Sequence, residues 1–168
     1  MKFFSAVVSI FILFGCGILS VIFELPERYI ERDVKTEEMV GTWNVTSESE
    51  ADVNKFLRTS PGWSISAPWK TFTLNSDGSC SVEIKNDWLG DFYSDLATKS
   101  MKSCSWNLAR EENLSHKISP VLDLDFEYSD AYSTSFSLYI VEEDGKLILW
   151  NFIGDPDDFL PQDFVKMK

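Results

Sequence analysis

The sequence predicts an all-β fold, a single antiparallel barrel of about eight strands that follows a hydrophobic N-terminal segment. From about residue 38 to the C-terminus, short stretches alternate apolar and polar residues, as expected for strands with one face in a core. Turn sequences such as Asp77-Gly78 and Asp144-Gly145 separate several of them and tolerate the positive φ of tight hairpins. Antiparallel strands of this kind hide their edges by closing into a barrel or a sandwich.

Composition and charge narrow the function classes before any motif is considered. The 168 residues suit one domain of ordinary size, and 44% hydrophobic with 14% aromatic residues excludes intrinsic disorder. A formal net charge of -12 argues against nucleic-acid binding, which needs a basic surface to displace counterions from phosphates. Three cysteines are too few for a small domain held together by disulfides.

The first part of the chain is predicted to be a membrane segment outside the barrel. Residues 3–23 carry no charge, with Lys2 before them and Glu24 after them. As a helix they would span about 30 Å, the thickness of the hydrocarbon core of a bilayer. The positive-inside rule places Lys2 in the cytoplasm and the rest of the chain outside it.

Three fates of this segment are open. We favour an uncleaved signal anchor. The alternative is a lipoprotein, because Leu13-Phe14-Gly15-Cys16 resembles a lipobox that would be lipidated at Cys16, although Phe14 is bulkier than usual there. The third is a secretory signal peptide cleaved after a small residue such as Gly17 or Ser20.

The chain therefore divides into an anchor or signal segment at 1–24, a charged tether at 25–36 and the barrel domain at 37–168. Within the barrel domain, Val53, Phe56 and Leu57 recur at helical spacing, with Ser49 and Asp52 as candidate N-caps. The predicted strands are Glu38–Ser47, Trp69–Leu74, Ser79–Lys85, Ser103–Leu108, Val121–Tyr128, Ser133–Glu142, Lys146–Phe152 and Asp163–Lys168. Between the third and fourth of them, a second short helix is predicted around Asp87–Leu96.

The order of several short motifs resembles a group of uncharacterised bacterial exported proteins and lipoproteins with a lipocalin-like, or calycin, domain. The motifs are Gly41-Thr42-Trp43, Leu74-Asn75-Ser76-Asp77-Gly78-Ser79, Ser105-Trp106-Asn107-Leu108, Lys146-Leu147-Ile148-Leu149, Gly154-Asp155-Pro156-Asp157 and Phe164-Val165-Lys166. The resemblance covers about residues 39–167 and implies a fold and a location but no activity. It implies that Trp43 plugs the bottom of the barrel.

Six residues of these motifs are expected to have structural roles: Gly41, Trp43, Trp106, Gly154, Asp155 and Pro156. Trp43 alternates toward the core, and the glycine–aspartate–proline sequence is punctuated like a rigid corner before the last strand.

No motif for catalysis is present in the sequence. It lacks a G-x-S-x-G elbow, a phosphate-binding G-x-x-x-x-G-K-[ST] loop, H-E-x-x-H and C-x-x-C. The single histidine, His116, lies in a polar connection between two strands, where an exposed side chain is expected. We predict that the protein is not an enzyme and has no catalytic residues, no cofactor and no metal.

Two groups of carboxylates are candidate cation sites. Asp123, Asp125 and Glu127 share one face of a strand, where neighbours are about 7 Å apart and a solvated surface is the favoured interpretation. They lack the glycine of an EF-hand loop. Asp155, Asp157 and Asp158 form the second group, which is a slightly better calcium candidate because loops also supply carbonyl oxygens.

Cys80 and Cys104 both point inward, and an exported domain would allow them to form a disulfide. If their strands were neighbours with aligned ends, however, Cys80 would face Leu108. Cys104 would then lie about four residues away along the strand, far beyond bonding distance. The long connection leaves the register free, so a disulfide and two buried thiols both remain open.

Aromatic residues outside the regular strands suggest a ligand site. Small barrels either enclose one apolar ligand or are filled by side chains. The candidate ligand-binding residues are Trp63, Trp69, Trp88, Phe92 and Tyr93. Two functional hypotheses follow: a membrane-tethered binding module for a small apolar or amphipathic ligand, and a structural or interaction protein of the cell envelope with a solid core and an acidic face for a basic partner.

Overall fold

The computed structural model describes residues 30, 32–60, 65, 67–84, 88, 101–112, 117–129, 133–153 and 161–168. The described helices are α1 (Thr36–Met39) and α2 (Ser47–Thr59). The described strands are β1 (Gly41–Val45), β2 (Trp69–Leu74), β3 (Cys80–Ile84), β4 (Met101–Glu112), β5 (Ile118–Tyr128), β6 (Ser133–Glu143), β7 (Lys146–Phe152) and β8 (Pro161–Lys166).

All eight strands belong to one sheet in which every neighbouring pair is antiparallel. The order is β3-β2-β1-β8-β7-β6-β5-β4, so the last strand pairs with the first. The two edge strands also meet, because Ser79 bridges Ser105 and the Trp106 amide donates to the Gly78 carbonyl at 2.8 Å. The sheet is thus a nearly closed up-and-down barrel, and the predicted fold class is confirmed.

The hairpin turns have the backbone that their sequences predict. Gly78 has a φ of 83°, and Asp144 and Gly145 have φ values of 51° and 71°. Two successive positive φ values match the right-handed twist of the strands that flank a two-residue turn. The β2–β3 and β6–β7 hairpins therefore form where the Asp-Gly sequences stand.

The first predicted strand is shorter than expected. Residues 36–39 form α1, and the strand begins only at Gly41, whose φ of 136° is one that side-chain-bearing residues rarely adopt. The prediction of a strand from Glu38 is therefore wrong at its start. Alternation alone could not show that Glu38 instead accepts from the Lys35 amide at 2.9 Å and stabilises a helical turn.

Helix α2 begins at Ser47, before both predicted caps, and has a different N-cap. Thr46 precedes the helix, and its hydroxyl oxygen accepts from the Ser49 amide at 3.1 Å. Ser49 lies inside the first turn and is buried, where its hydroxyl accepts from the Asp163 amide at 2.9 Å. The predicted caps Ser49 and Asp52 are therefore corrected to Thr46, and Ser49 joins the helix to β8.

The barrel has two ends that differ in what covers them. We call the end at which residues 32–40 join β1 the tether end; it also carries the Asp77-Gly78 and Asp144-Gly145 turns. The opposite end is the helix end, because α2 leaves β1 there and buries Val53 and Phe56 in the core. Of the part of the chain that the structure describes, no helix has the length and apolar character needed to cross a membrane.

Part of the predicted tether packs on the barrel. Ile30 and Val34 are partly buried against the core. Arg32 contacts Glu38 at 2.9 Å and Glu142 at 3.0 Å, so it connects the tether to α1 and to the end of β6.

At the majority of the other strand ends, the observed boundary differs from the predicted one by a few residues. The fourth strand is the largest change, because it runs from Met101 to Glu112 rather than from Ser103 to Leu108. The last strand starts at Pro161, two residues early, and ends at Lys166. The helix predicted at Asp87–Leu96 lies outside the described residues except at Trp88.

Candidate functional site

The outer face of the barrel carries an ordered group of carboxylates on β5. Asp123, Asp125 and Glu127 point outward, while the residues between them face the core. Strand pairing places a polar residue of β4 and a serine of β6 on either side of each carboxylate. The three rows are Asn107–Asp123–Ser137, Ser105–Asp125–Ser135 and Ser103–Glu127–Ser133. We call these nine residues the acidic stripe.

Serine hydroxyls orient the carboxylates of the acidic stripe. Ser137 donates to Asp123 at 2.7 Å and Ser135 donates to Asp125 at 2.5 Å. Ser103 donates to Glu127 at 3.0 Å from the other side. Each carboxylate therefore has one hydrogen bond within the sheet and retains acceptor capacity toward solvent.

The spacing of the stripe does not suit chelation of one ion. Carboxylates two residues apart on a strand are about 7 Å from each other, whereas two oxygens bound to one calcium ion lie within about 5 Å. Within the described ranges, no group of three or more potential ligands is arranged to hold a metal ion. Asp155, Asp157, Asp158 and His116 lie outside these ranges.

Two of the five predicted ligand-binding aromatics are described, and both are buried. Trp69 is 2% exposed, with its ring centroid 5.0 Å from that of Phe136 and 5.4 Å from that of Phe126. Trp88 is fully buried, and its indole nitrogen donates to the Asn54 side chain on α2 at 3.1 Å. They fill the core near the helix end. Trp63, Phe92 and Tyr93 lie outside the described residues.

A β-bulge turns Trp69 into the core. Trp69 pairs with Ile84 and Thr71 pairs with Glu83, so Lys70 is an extra residue in β2. Without it, alternation from Phe72 would point Lys70 inward and Trp69 outward. Lys70 instead contacts Glu50 on α2 at 3.2 Å.

The other predicted structural residues that are described lie at the tether end or near it. Trp43 is fully buried and its indole nitrogen donates to the Met39 carbonyl at 2.8 Å. Trp106 faces inward, and its indole nitrogen donates to the Asn75 carbonyl at 2.9 Å, next to the β2–β3 turn. Gly154, Asp155 and Pro156 lie outside the described residues, as does Cys16.

The structure joins Cys80 and Cys104 in a disulfide, with their Cα atoms 5.0 Å apart. The bridge between Ser79 and Ser105 sets the register, which places Cys80 opposite Cys104 and not opposite Leu108. The disulfide therefore links the two edge strands where the barrel closes.

One buried polar side chain in the interior was not predicted. Gln162 points inward from β8, is fully buried, and donates from its amide nitrogen to the Ala67 carbonyl at 2.9 Å. Its Oε1 accepts no hydrogen bond from the residues that the structure describes. Alternation in β8 could have marked Gln162 as inward-facing, but the last strand was predicted to start after it.

A second apolar group covers the outside of β6 and β7. Val141, Ile148, Trp150 and Phe152 point away from the core and are nonetheless buried, with Tyr139 packed against them. Burial raises the pKa of Tyr139, with a smaller contribution from Glu111. We call these five residues the outer cluster. The sequence of β7 is apolar on both faces, and this pattern could have indicated the outer cluster.

Comparison with known proteins gives no further guide to this site. No family model, no curated protein and no solved structure matches the chain. The candidate functions therefore depend on the geometry described above.

Proposed function

We propose that this protein is a non-enzymatic interaction domain of the cell envelope, held at a membrane by its N-terminal segment, with a solid barrel core and an acidic face for a basic partner. The observation that carries the proposal is the packing of aromatic side chains in the interior of the described part. Near the helix end, Trp69 contacts the rings of Phe72, Phe126 and Phe136. Side chains that pack in this way leave the outer surface as the place for recognition.

Both ends of the barrel support the same proposal. Met39 and Trp43 are fully buried at the tether end, and Val53 and Phe56 of α2 are buried at the helix end. The interior of the described part thus has protein above and below it. Ile30 and Val34 add further cover at the tether end.

The acidic stripe is the surface that we assign to the partner. Its three carboxylates repeat at about 7 Å along β5, and the flanking serines hold two of them through hydrogen bonds from β6. An extended basic segment also places every second side chain on one face at about 7 Å. Lysines on such a segment would meet successive carboxylates in register.

The test uses the full chain and a synthetic oligolysine peptide as the probe. The variant Asp123→Asn/Asp125→Asn/Glu127→Gln should bind the peptide about tenfold more weakly at low salt, since three exposed ion pairs together contribute about 1–2 kcal/mol. A matched control, Glu37→Gln/Glu48→Gln/Glu111→Gln, removes the same charge from exposed residues elsewhere and should keep wild-type affinity. Equal losses in both variants would show that net charge, and not the stripe, attracts the peptide.

A second function, uptake of a small apolar or amphipathic ligand, is supported by Gln162. Its buried Oε1 could accept a hydrogen bond from a hydroxyl or N–H group of a ligand inside the barrel. Native mass spectrometry of the detergent-released chain would then show a bound mass that Gln162→Leu removes. Retention of the mass in Gln162→Leu, or the absence of any bound mass from the wild type, would contradict this function.

A further inference from the structure

The exposed large hydrophobic residues of the described part all lie at the tether end. They are Ile118, Val165 and Met167, with exposed fractions of 54%, 39% and 54%. Ile118 begins β5, whereas Val165 lies at the C-terminal end of β8 and Met167 directly follows that strand. No large hydrophobic residue of the described part is exposed at the helix end. The tether end is therefore the end at which to look for a contact surface.

Val165 and Met167 border a groove of about 600 Å³ between the start of β7 and the end of β8. Apolar and basic side chains share its lining. The apolar ones include Leu147, Ile148, Val165 and Met167, and the basic ones are Lys146, Lys166 and Lys168. The groove therefore combines an apolar floor with three ammonium groups.

The charges of the groove favour an anionic occupant. Glu38 also lines it, but its carboxylate forms an ion pair with Arg32 at 2.9 Å. Lys166 donates to the neutral carbonyl of Glu38 at 3.0 Å, which leaves the lysine charge uncompensated. Glu143 and Asp144 are the other carboxylates of the lining, yet no ion pair within the described residues engages any of the three lysines.

We propose that the tether end is a membrane-docking surface, in which Val165 and Met167 enter the headgroup region and Lys146, Lys166 and Lys168 contact the phosphates of anionic lipids. Lysines near an anionic bilayer surface each strengthen binding about fivefold, and their apolar stems extend along neighbouring apolar groups. This inference rests on the proposed function, in which the N-terminal segment lies in the membrane.

The path of the chain places the membrane at this end. Residues 32–35 enter the barrel beside Glu38, which lines the groove. Seven residues lie between Glu24, which follows the apolar stretch, and Arg32, and the eight steps from Glu24 to Arg32 span at most about 28 Å. Docking of the tether end also directs the acidic stripe, on the half of β5 nearer the helix end, away from anionic lipid.

The methionines provide a direct test. The chain has four, and Met167 is exposed at the tether end, Met101 starts β4 at the helix end, and Met39 is fully buried. The full chain carrying ¹³C-methyl methionine is placed in nanodiscs of phosphatidylcholine, or of equal parts phosphatidylcholine and phosphatidylglycerol. Paramagnetic lipid headgroups then broaden the methyl signals that lie near the surface, and Met167→Ile assigns the signal of interest.

In the discs with phosphatidylglycerol, the Met167 signal should broaden several-fold more than that of Met101, which lies about 30 Å farther along the strands. High salt and the variant Lys146→Gln/Lys166→Gln/Lys168→Gln should both remove the difference. Equal broadening of Met167 and Met101, or wild-type behaviour of the lysine variant, would overturn the proposal.

Whether the chain stays in the discs distinguishes a failure of the docking proposal from a failure of the membrane anchor. A chain that is not retained refutes the anchored state, and its docking is then measured by co-sedimentation with vesicles of the same two compositions. Binding to the phosphatidylglycerol vesicles that falls about 100-fold in the triple lysine variant would support the docking surface, since three lysines are removed. The absence of such binding would refute it.

Discussion

The two faces of β5 show how one strand of this barrel supports two separate properties. The inner face carries Leu122, Leu124 and Phe126, each of which is at most 1% exposed. On the outer face, Asp123, Asp125 and Glu127 alternate with them, and serines of the neighbouring strands hydrogen-bond to them. The inner face determines stability through packing, whereas the outer face can change its chemistry with little effect on the fold. Substitutions on the two faces should therefore separate stability from recognition.

The largest loss of stability is expected from Trp69→Ala, which removes a buried side chain of the barrel core. Removing a buried indole that contacts three phenylalanine rings should lower the free energy of unfolding by about 3–5 kcal/mol. Chemical denaturation of the full chain measures the change, with Ser105→Ala on the outer face as the control. A loss below about 1 kcal/mol would mean that the interior around Trp69 is not tightly packed.

Opening the disulfide should have the next largest effect. Cys80 and Cys104 are separated by 24 residues in sequence and join the two edge strands. Replacing both with alanine should lower the free energy of unfolding by about 2–4 kcal/mol, because the unfolded chain gains conformational freedom. A reducing agent should destabilise the wild type by a similar amount and leave the variant unchanged. Equal sensitivity of the two proteins to reductant would argue against the bond.

A smaller, pH-dependent effect is expected at the tether end. The hydrogen bonds from Arg32 and from the Lys35 amide hold the pKa of Glu38 below its ordinary value of 4.5. Because the folded-state pKa is lowered, this stabilisation is present above about pH 4.5 and is lost as the pH falls through the folded-state pKa.

The variant Glu38→Gln tests this interaction. It should lower the melting temperature by about 2 °C at neutral pH, since the pair is partly exposed and screened by salt. The melting temperatures of variant and wild type should converge in acid. Glu37→Gln, one residue away and exposed, is the control and should show no such convergence. A difference that persists below pH 3 would exclude the carboxylate charge as its cause.

The smallest effect on stability is expected from neutralising the acidic stripe. Asp123→Asn/Asp125→Asn/Glu127→Gln should change the free energy of unfolding by no more than about 0.5 kcal/mol, because outer-face substitutions leave the packing intact. Leu124→Ala, between two of these positions, should cost about 2–5 kcal/mol. Comparable losses from both variants would remove the distinction between the two faces.

The outer cluster limits how far this distinction extends. On β6 and β7 the outer positions are apolar and buried, as Val141 and Trp150 show. Substitutions there should behave like inner-face substitutions. Alternation identifies the inner face of β5 because its outer positions are charged, but it cannot assign faces in β7, where both are apolar.

Much of the fold followed from the sequence because its signals are local. Alternation located eight strands, and the Asp-Gly sequences located two hairpins whose positive φ values depend only on the turn residues. The inward orientation of Trp43 was also predicted and is confirmed by its complete burial. The start of the first strand was wrong because the capping of α1 by Glu38 competes with extension of the strand.

The features of the site that depend on distant contacts could not be predicted in this way. The extra residue Lys70 reverses the orientation of Trp69 through pairing with β3. The choice between a disulfide and two thiols depended on the contact between the edge strands, which sets Cys80 opposite Cys104.

The sequence by itself determined that this chain is an acidic, all-β domain preceded by an apolar segment, because composition and period-2 alternation are properties of neighbouring residues. Only the tertiary structure decided which side chains meet. It placed the serines beside the carboxylates of β5, the lysines beside the exposed Val165 and Met167, and α2 across one end of the barrel. Strand register and barrel closure determine those contacts, and both arise from pairing between segments far apart in the chain.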